Sequence, residues 1–156
     1  MEVVVGRAGK LMLDGCTVGH YGGVSVLGRL AGDLSDVVED VEFYAVDCTF
    51  ASCQTGVKVY GSGAQAALVR CIIENCINGL HVQRAAATLR ASAVRGCGTG
   101  VYCTDRGLVR VGEGLASTQN SRAGAEDYEV IYAVDFVSMN EGRIDGINLV
   151  DHPMPL

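Results

Sequence analysis

The chain has 156 residues, nearly half of them apolar, with a net charge of −6 and no tryptophan. That length makes one domain with a core of its own. The acidic balance argues against a nucleic-acid backbone as partner, because no basic cluster is present to displace its counterions, and neither an apolar run near ~18 residues nor a basic-then-apolar leader marks a membrane span or signal peptide.

Taken in chain order, a frame emerges at Leu11 and Leu13, which lead into Cys16-Thr-Val18, Tyr21 and then Gly23-Val24-Ser25-Val26. Residues 27–42 interrupt it with an acidic loop that holds Asp33, Asp36, Glu39 and Asp40. The loop reads first as a solvated excursion and second as a docking or cation-binding segment. Its oxygens lack the alternate-residue spacing of a calcium loop. The frame then returns three times. Phe43 and Ala45 precede Cys48-x-Phe50-x-x-Cys53 and Gly56-Val57-Lys58-Val59. Ala66 and Leu68 precede Cys71-x-Ile73-x-x-Cys76 and Gly79-Leu80-His81-Val82. Ala87 and Leu89 precede Ser92-x-Val94-x-x-Cys97 and Gly100-Val101-Tyr102-Cys103. Val109 and Val111 open a fifth, partial coil.

The local period is two, broken by corners, which predicts short strands. The repeat recurs after 23 and then 21 residues, which predicts a solenoid whose coils bury their apolar side by stacking. At about 3.3 Å per residue each coil has a perimeter near 70 Å, the girth of a flattened triangle. Between residues 10 and 111 the frame resembles the repeats of the pectin-lyase-like superfamily, with a Cys/Asn-rich corner followed by Gly-apolar-x-apolar. The resemblance implies an all-β fold, a right-handed single-stranded parallel β-helix of about four to five coils. A leucine-rich repeat fits less well, because it would need an apolar residue at Thr55, Asn78 and Thr99. A left-handed β-helix would need a period near ~18.

After Gly112 the repeat stops, so the chain divides into coils over 1–112 and a different segment over 113–156. Tyr128–Val137 alternates, Ser138–Gly142 reads as a turn and Ile144–Val150 as a return strand, together a β-hairpin cap. Val134 and Phe136 are expected to close the solenoid, while Ile131 and Val137 on the other face meet another subunit.

The seven cysteines fall in repeat columns that also accept Ser, Tyr and Val. They are expected to be reduced interior thiols, neither bridges nor a metal site. Such thiols suit the cytoplasm or another reducing compartment, or a virion component. Hydrolases of the resembled superfamily carry Asn-Thr-Asp, Asp-Asp and Gly-His-Gly motifs, and none occurs here. Its lyases need a stack of carboxylates, whereas Asp47 is followed by Arg70 and Glu74 by Arg95. No catalytic residue, cofactor or metal is therefore assigned. One outward column merits naming: Ser25, Lys58, His81 and Tyr102, of which Lys58, His81 and Tyr102 form a candidate glycan-binding ladder about 4.8 Å apart. The expected function is a non-enzymatic structural or interaction module in a homo-oligomer or larger assembly such as a fibre, spike or particle. The alternative is a carbohydrate-active protein that binds or cleaves a polysaccharide.

Overall fold

A computed structural model describes residues 3–6, 9–29, 40–112, 116–118, 136–138 and 142–145. Among them are 17 strands and no helix. In chain order they are β1 (Val3–Gly6), β2 (Lys10–Asp14), β3 (Thr17–Tyr21), β4 (Val24–Leu27), β5 (Val41–Val46), β6 (Thr49–Cys53), β7 (Thr55–Tyr60), β8 (Ala64–Val69) and β9 (Ile72–Glu74). There follow β10 (Asn78–Gln83), β11 (Ala86–Arg90), β12 (Ala93–Arg95), β13 (Thr99–Thr104), β14 (Leu108–Val111), β15 (Ala116–Thr118), β16 (Phe136–Ser138) and β17 (Arg143–Asp145).

Every third strand pairs in parallel, giving three sheets. Sheet A runs β1-β4-β7-β10-β13-β16, sheet B runs β2-β5-β8-β11-β14-β17, and sheet C runs β3-β6-β9-β12-β15. The molecule is a parallel β-solenoid. Each of the four repeats of the sequence supplies one strand to each sheet, and the fifth coil begins at β14 as its apolar pair Val109 and Val111 requires.

The register stacks like on like. Val18, Phe50, Ile73 and Val94 form one inward column. Val24, Val57, Leu80 and Val101 form a second, and Val26, Val59, Val82 and Cys103 a third. From the second coil onward these side chains are buried almost completely. In the first coil Leu11, Leu13 and Val18 are only partly buried, whereas Val24 and Val26 are already fully covered.

Corners explain the frame. One residue in the left-handed region turns each of the corners at Gly15, Asp47, Arg70 and Ala91 between sheets B and C, and at Ser52, Asn75 and Gly96 between C and A. The next residue is the repeat's Cys or Ser, and its side chain donates back to the carbonyl two residues before. Cys48 Sγ donates to Val46 O (3.2 Å), Cys71 to Val69 O (3.4 Å), Ser92 Oγ to Arg90 O (2.9 Å) and Cys76 to Glu74 O (3.3 Å). Several of these carbonyls already accept an amide from the coil below, as Val69 O does from Asp47 N–H. The thiol or hydroxyl fills the second lone pair of a partly buried carbonyl. Cysteine and serine exchange in this column because both are small and both donate.

The glycine that leads each Gly-apolar-x-apolar triplet has a different cause. A Cβ on Gly79 would lie 2.5 Å from Gly100 O and 2.7 Å from Val94 Cγ1. Successive backbones approach too closely there for any side chain.

The C-terminal segment departs from the expected hairpin where it is described. Phe136–Ser138 pairs in parallel with β13, setting Phe136 beside Val101 in register, and Arg143–Asp145 pairs in parallel with β14, setting Ile144 beside Val109. The two strands lie in different sheets and so do not pair with each other as a hairpin. By their parallel pairing they prolong the stack. The rest of the expected cap, including Ile131 and Val134, lies outside the described residues, as does the acidic loop between Arg29 and Asp40.

Candidate functional site

The outer wall of sheet A carries the candidate ladder. Parallel register places Lys58 beside Ser25, His81 beside Lys58 and Tyr102 beside His81. Alternation along β7, β10 and β13 sends these side chains outward while Val57, Val59, Leu80 and Val82 fill the core. Ser25 is the exception. It is buried, so the accessible part of the column begins at Lys58.

His81 is the centre of the arrangement. Its ring stands edge-on to Tyr102, with centroids 4.6 Å apart, and edge-on to Tyr60 at 4.9 Å. The Tyr60 hydroxyl lies 2.6 Å from His81 Nδ1. Burial, with Lys58 adding to it and Asp105 partly opposing, lowers the His81 pKa below its ordinary value. The ring is therefore neutral at pH 7. Burial and the neighbouring Tyr102 raise the Tyr60 pKa, so its hydroxyl keeps its proton. His81 Nε2 is buried with no hydrogen-bond partner. The result is a locked aromatic cluster on a rigid sheet.

Beside it lies an open depression of about 300 Å³ lined by Ile77, Asn78, His81, Gly98, Thr99 and Tyr102. Asn78 and Thr99 are register partners, and Ile77 is among the few large apolar side chains that stand exposed. The depression thus offers an aromatic ring, an aliphatic wall, a carboxamide and a hydroxyl. At the far end of the strands Gln83 Nε2 donates to Asp105 Oδ2 at 2.5 Å.

The sequence pattern does not single out Tyr60, Ile77, Asn78 or Thr99. Tyr60 follows Lys58 by two residues, so period-two alternation alone puts it on the same wall. Ile77, Asn78 and Thr99 sit where the chain leaves a corner, and the local pattern does not show which way such residues face.

On the other walls, the residues that denied an acidic stack prove to be ion-paired rungs between coils. Arg70 binds Asp47 in a forked contact (2.8 and 3.2 Å) and Arg95 binds Glu74 (3.0 Å). The Arg70 hydrogen bond lowers the Asp47 pKa. All seven cysteines are free, and all but Cys16 are buried. Along the second corner Cys53, Cys76 and Cys97 form a chain of interacting thiols. Hydrogen bonding from Cys97 makes Cys76 the most acidic of them, while burial pushes Cys53 up to about 11 and the bond to Cys76 raises Cys97. Among the described residues no group of three His, Cys, Asp or Glu side chains is placed to hold a metal ion. Of the assembly pair, Ile131 lies outside the described residues, and Val137 occupies the register position next to Tyr102. Comparisons with protein-family models, with curated proteins and with solved structures find no match to this chain.

Proposed function

We propose that this chain is a non-enzymatic interaction module, a pectin-lyase-like β-helix working within a larger assembly, whose sheet A wall recognises a carbohydrate. Right-handed winding is the reading that parallel strands joined by crossovers favour. The observation that carries the function is the locked Tyr60–His81–Tyr102 cluster beside a depression that combines ring, aliphatic, amide and hydroxyl groups. A sugar presents alternating C–H and O–H groups. Its C–H face packs on Tyr102 or Ile77, and its hydroxyls bond to Asn78 and Thr99.

A binding role fits His81 better than a catalytic one. Nδ1 is engaged by Tyr60 and Nε2 is sealed from solvent, so neither nitrogen is poised to move a substrate proton. The buried reduced thiols favour a reducing compartment or a particle interior.

The test is a glycan array followed by calorimetry with any hit. Wild type should bind a defined set of glycans, and Tyr102→Ala should weaken binding at least ~10-fold while thermal unfolding is little changed. A blank array with wild type would sink the carbohydrate reading. Release of new reducing ends from a bound polysaccharide would overturn the non-enzymatic one.

A further inference from the structure

The outer wall of sheet B carries a second pattern that the sheet A reading does not use. Three outward columns run across it. The first is Lys10, Glu42, Gln65, Ala86 and Leu108; the second Met12, Tyr44, Ala67, Thr88 and Arg110; the third Asp14, Val46, Val69 and Arg90. Solvent-facing strand positions are usually polar, yet the middle of this wall is Tyr44, Val46, Ala67 and Val69. Met12 and Tyr44 are 62% and 40% exposed, two of the few large apolar side chains so placed. Beside Tyr44 is a trough of about 220 Å³ floored by Ala66, Ala67 and Ala86 and edged by Gln65 and Thr88. A protruding ring thus stands next to a hole of small residues on one face.

Charge is distributed unequally along the same wall. At the first coil Lys10 is paired with Glu42 and Asp14 stands exposed, while Arg90 is exposed at the fourth coil and makes no ion pair among the described residues. A two-fold axis along the strands, between β5 and β8, superposes these features on their complements. It sets the first coil of one copy against the fourth of the other and keeps each column opposite itself. Asp14 then faces Arg90, Val46 faces Val69, Tyr44 faces Ala67 at the edge of the trough, and Glu42 faces Gln65, each twice. Such self-complementarity is what an isologous interface requires.

We propose that the outer wall of sheet B is a homodimer interface, in which Tyr44 of each copy enters the alanine trough of the other and Asp14 pairs with Arg90 across the two-fold axis. The inference goes beyond the carbohydrate reading and stands without it. The four overlapping strands, about 4.8 Å apart and about 17 Å long, present a footprint on the order of 330 Å² per copy. That is below the roughly 800 Å² of a standard interface, so the dimer is weak and concentration-dependent.

The experiment is sedimentation velocity between ~5 and ~500 μM, with circular dichroism as the control for folding. Wild type should shift from monomer to dimer across that range. Ala67→Arg, which fills the trough from an outward position, should stay folded and monomeric. Asp14→Arg or Arg90→Asp alone should weaken association by roughly tenfold, and the two together should restore it. Tyr102→Ala, on the other wall, should leave it unchanged. A wild type that is monomeric throughout, a dimer that survives Ala67→Arg, a double reversal that fails to rescue, or a loss of dimer with Tyr102→Ala would each overturn the proposal.

Discussion

At the scale of single residues, the repeat's cysteines act as hydrogen-bond donors as well as filler. Cys71 is buried, its thiol reaches both Val69 O and Ala45 O at 3.4 Å, and Ser92 holds the equivalent place one coil on. Cys71→Ser keeps a donor and should cost within about 1 kcal/mol. Cys71→Ala removes both donor and volume and should cost about 1–3 kcal/mol, although alanine is the more apolar substitute. Chemical denaturation of the two variants decides the matter. If alanine is the better tolerated, the corner thiols are filler alone. The sequence shows this column as small and interchangeable with serine. The donation becomes visible only once the left-handed corner brings the thiol back toward the carbonyl two residues earlier.

At the scale of elements, two kinds of glycine are easily confused in the sequence. Gly15 turns a corner with φ 64° and has nothing within 4 Å of the place a Cβ would take, so Gly15→Ala meets backbone strain alone, about 1–2 kcal/mol. Gly79 leads a strand and has no room, since a Cβ there would lie 2.5 Å from a carbonyl of the next coil. Gly79→Ala must separate two backbones and should cost more, upward of about 2 kcal/mol. Thermal melts of the pair provide the check, and equal losses would mean that the coils stack less tightly than this register requires. The strands themselves were legible because alternation continues through four coils, and the solenoid was legible because the same frame returns after 23 and then 21 residues, with polar Thr55, Asn78 and Thr99 where a leucine-rich repeat would need apolar residues. The C-terminal strands were not. A short alternating segment reads equally well as a hairpin arm or another rung, and only pairing with β13 and β14 distinguishes them.

For the whole molecule, buried titratable groups confine stability to a window of pH. Burial raises the Cys71 and Cys103 thiols above the ordinary value of 9.0. The unfolded chain therefore ionises first, and their contribution, complete below that value, is lost as pH rises through the raised folded values. His81 has the opposite sign. Its pKa lies below 6.5 in the fold, so the unfolded chain takes up the proton first. That contribution is present above 6.5 and lost as pH falls through the lowered value. These groups lower the unfolding free energy above about pH 9 and below about pH 6.5, while Cys76, lowered to about 7 by its hydrogen bond with Cys97, adds stability as pH rises from about 7 to 9. In His81→Gln the decline between about pH 6.5 and 5 should shrink, measured by urea titration at each pH. An undiminished acid limb would mean that His81 is not held neutral by its surroundings.

By itself the sequence determined the class of fold, the inward columns and the line of residues Lys58, His81 and Tyr102, because period-two alternation and a coil-length repeat are local consequences of strand geometry. Tertiary structure alone decided what those positions do. Whether an outward residue is exposed, as Lys58 is in part, or covered, as Ser25 is, depends on neighbours distant in sequence. So does the lowered pKa of His81, which arises from its burial between coils and then from Lys58 one coil below, surroundings that exist only when coils stack in this register.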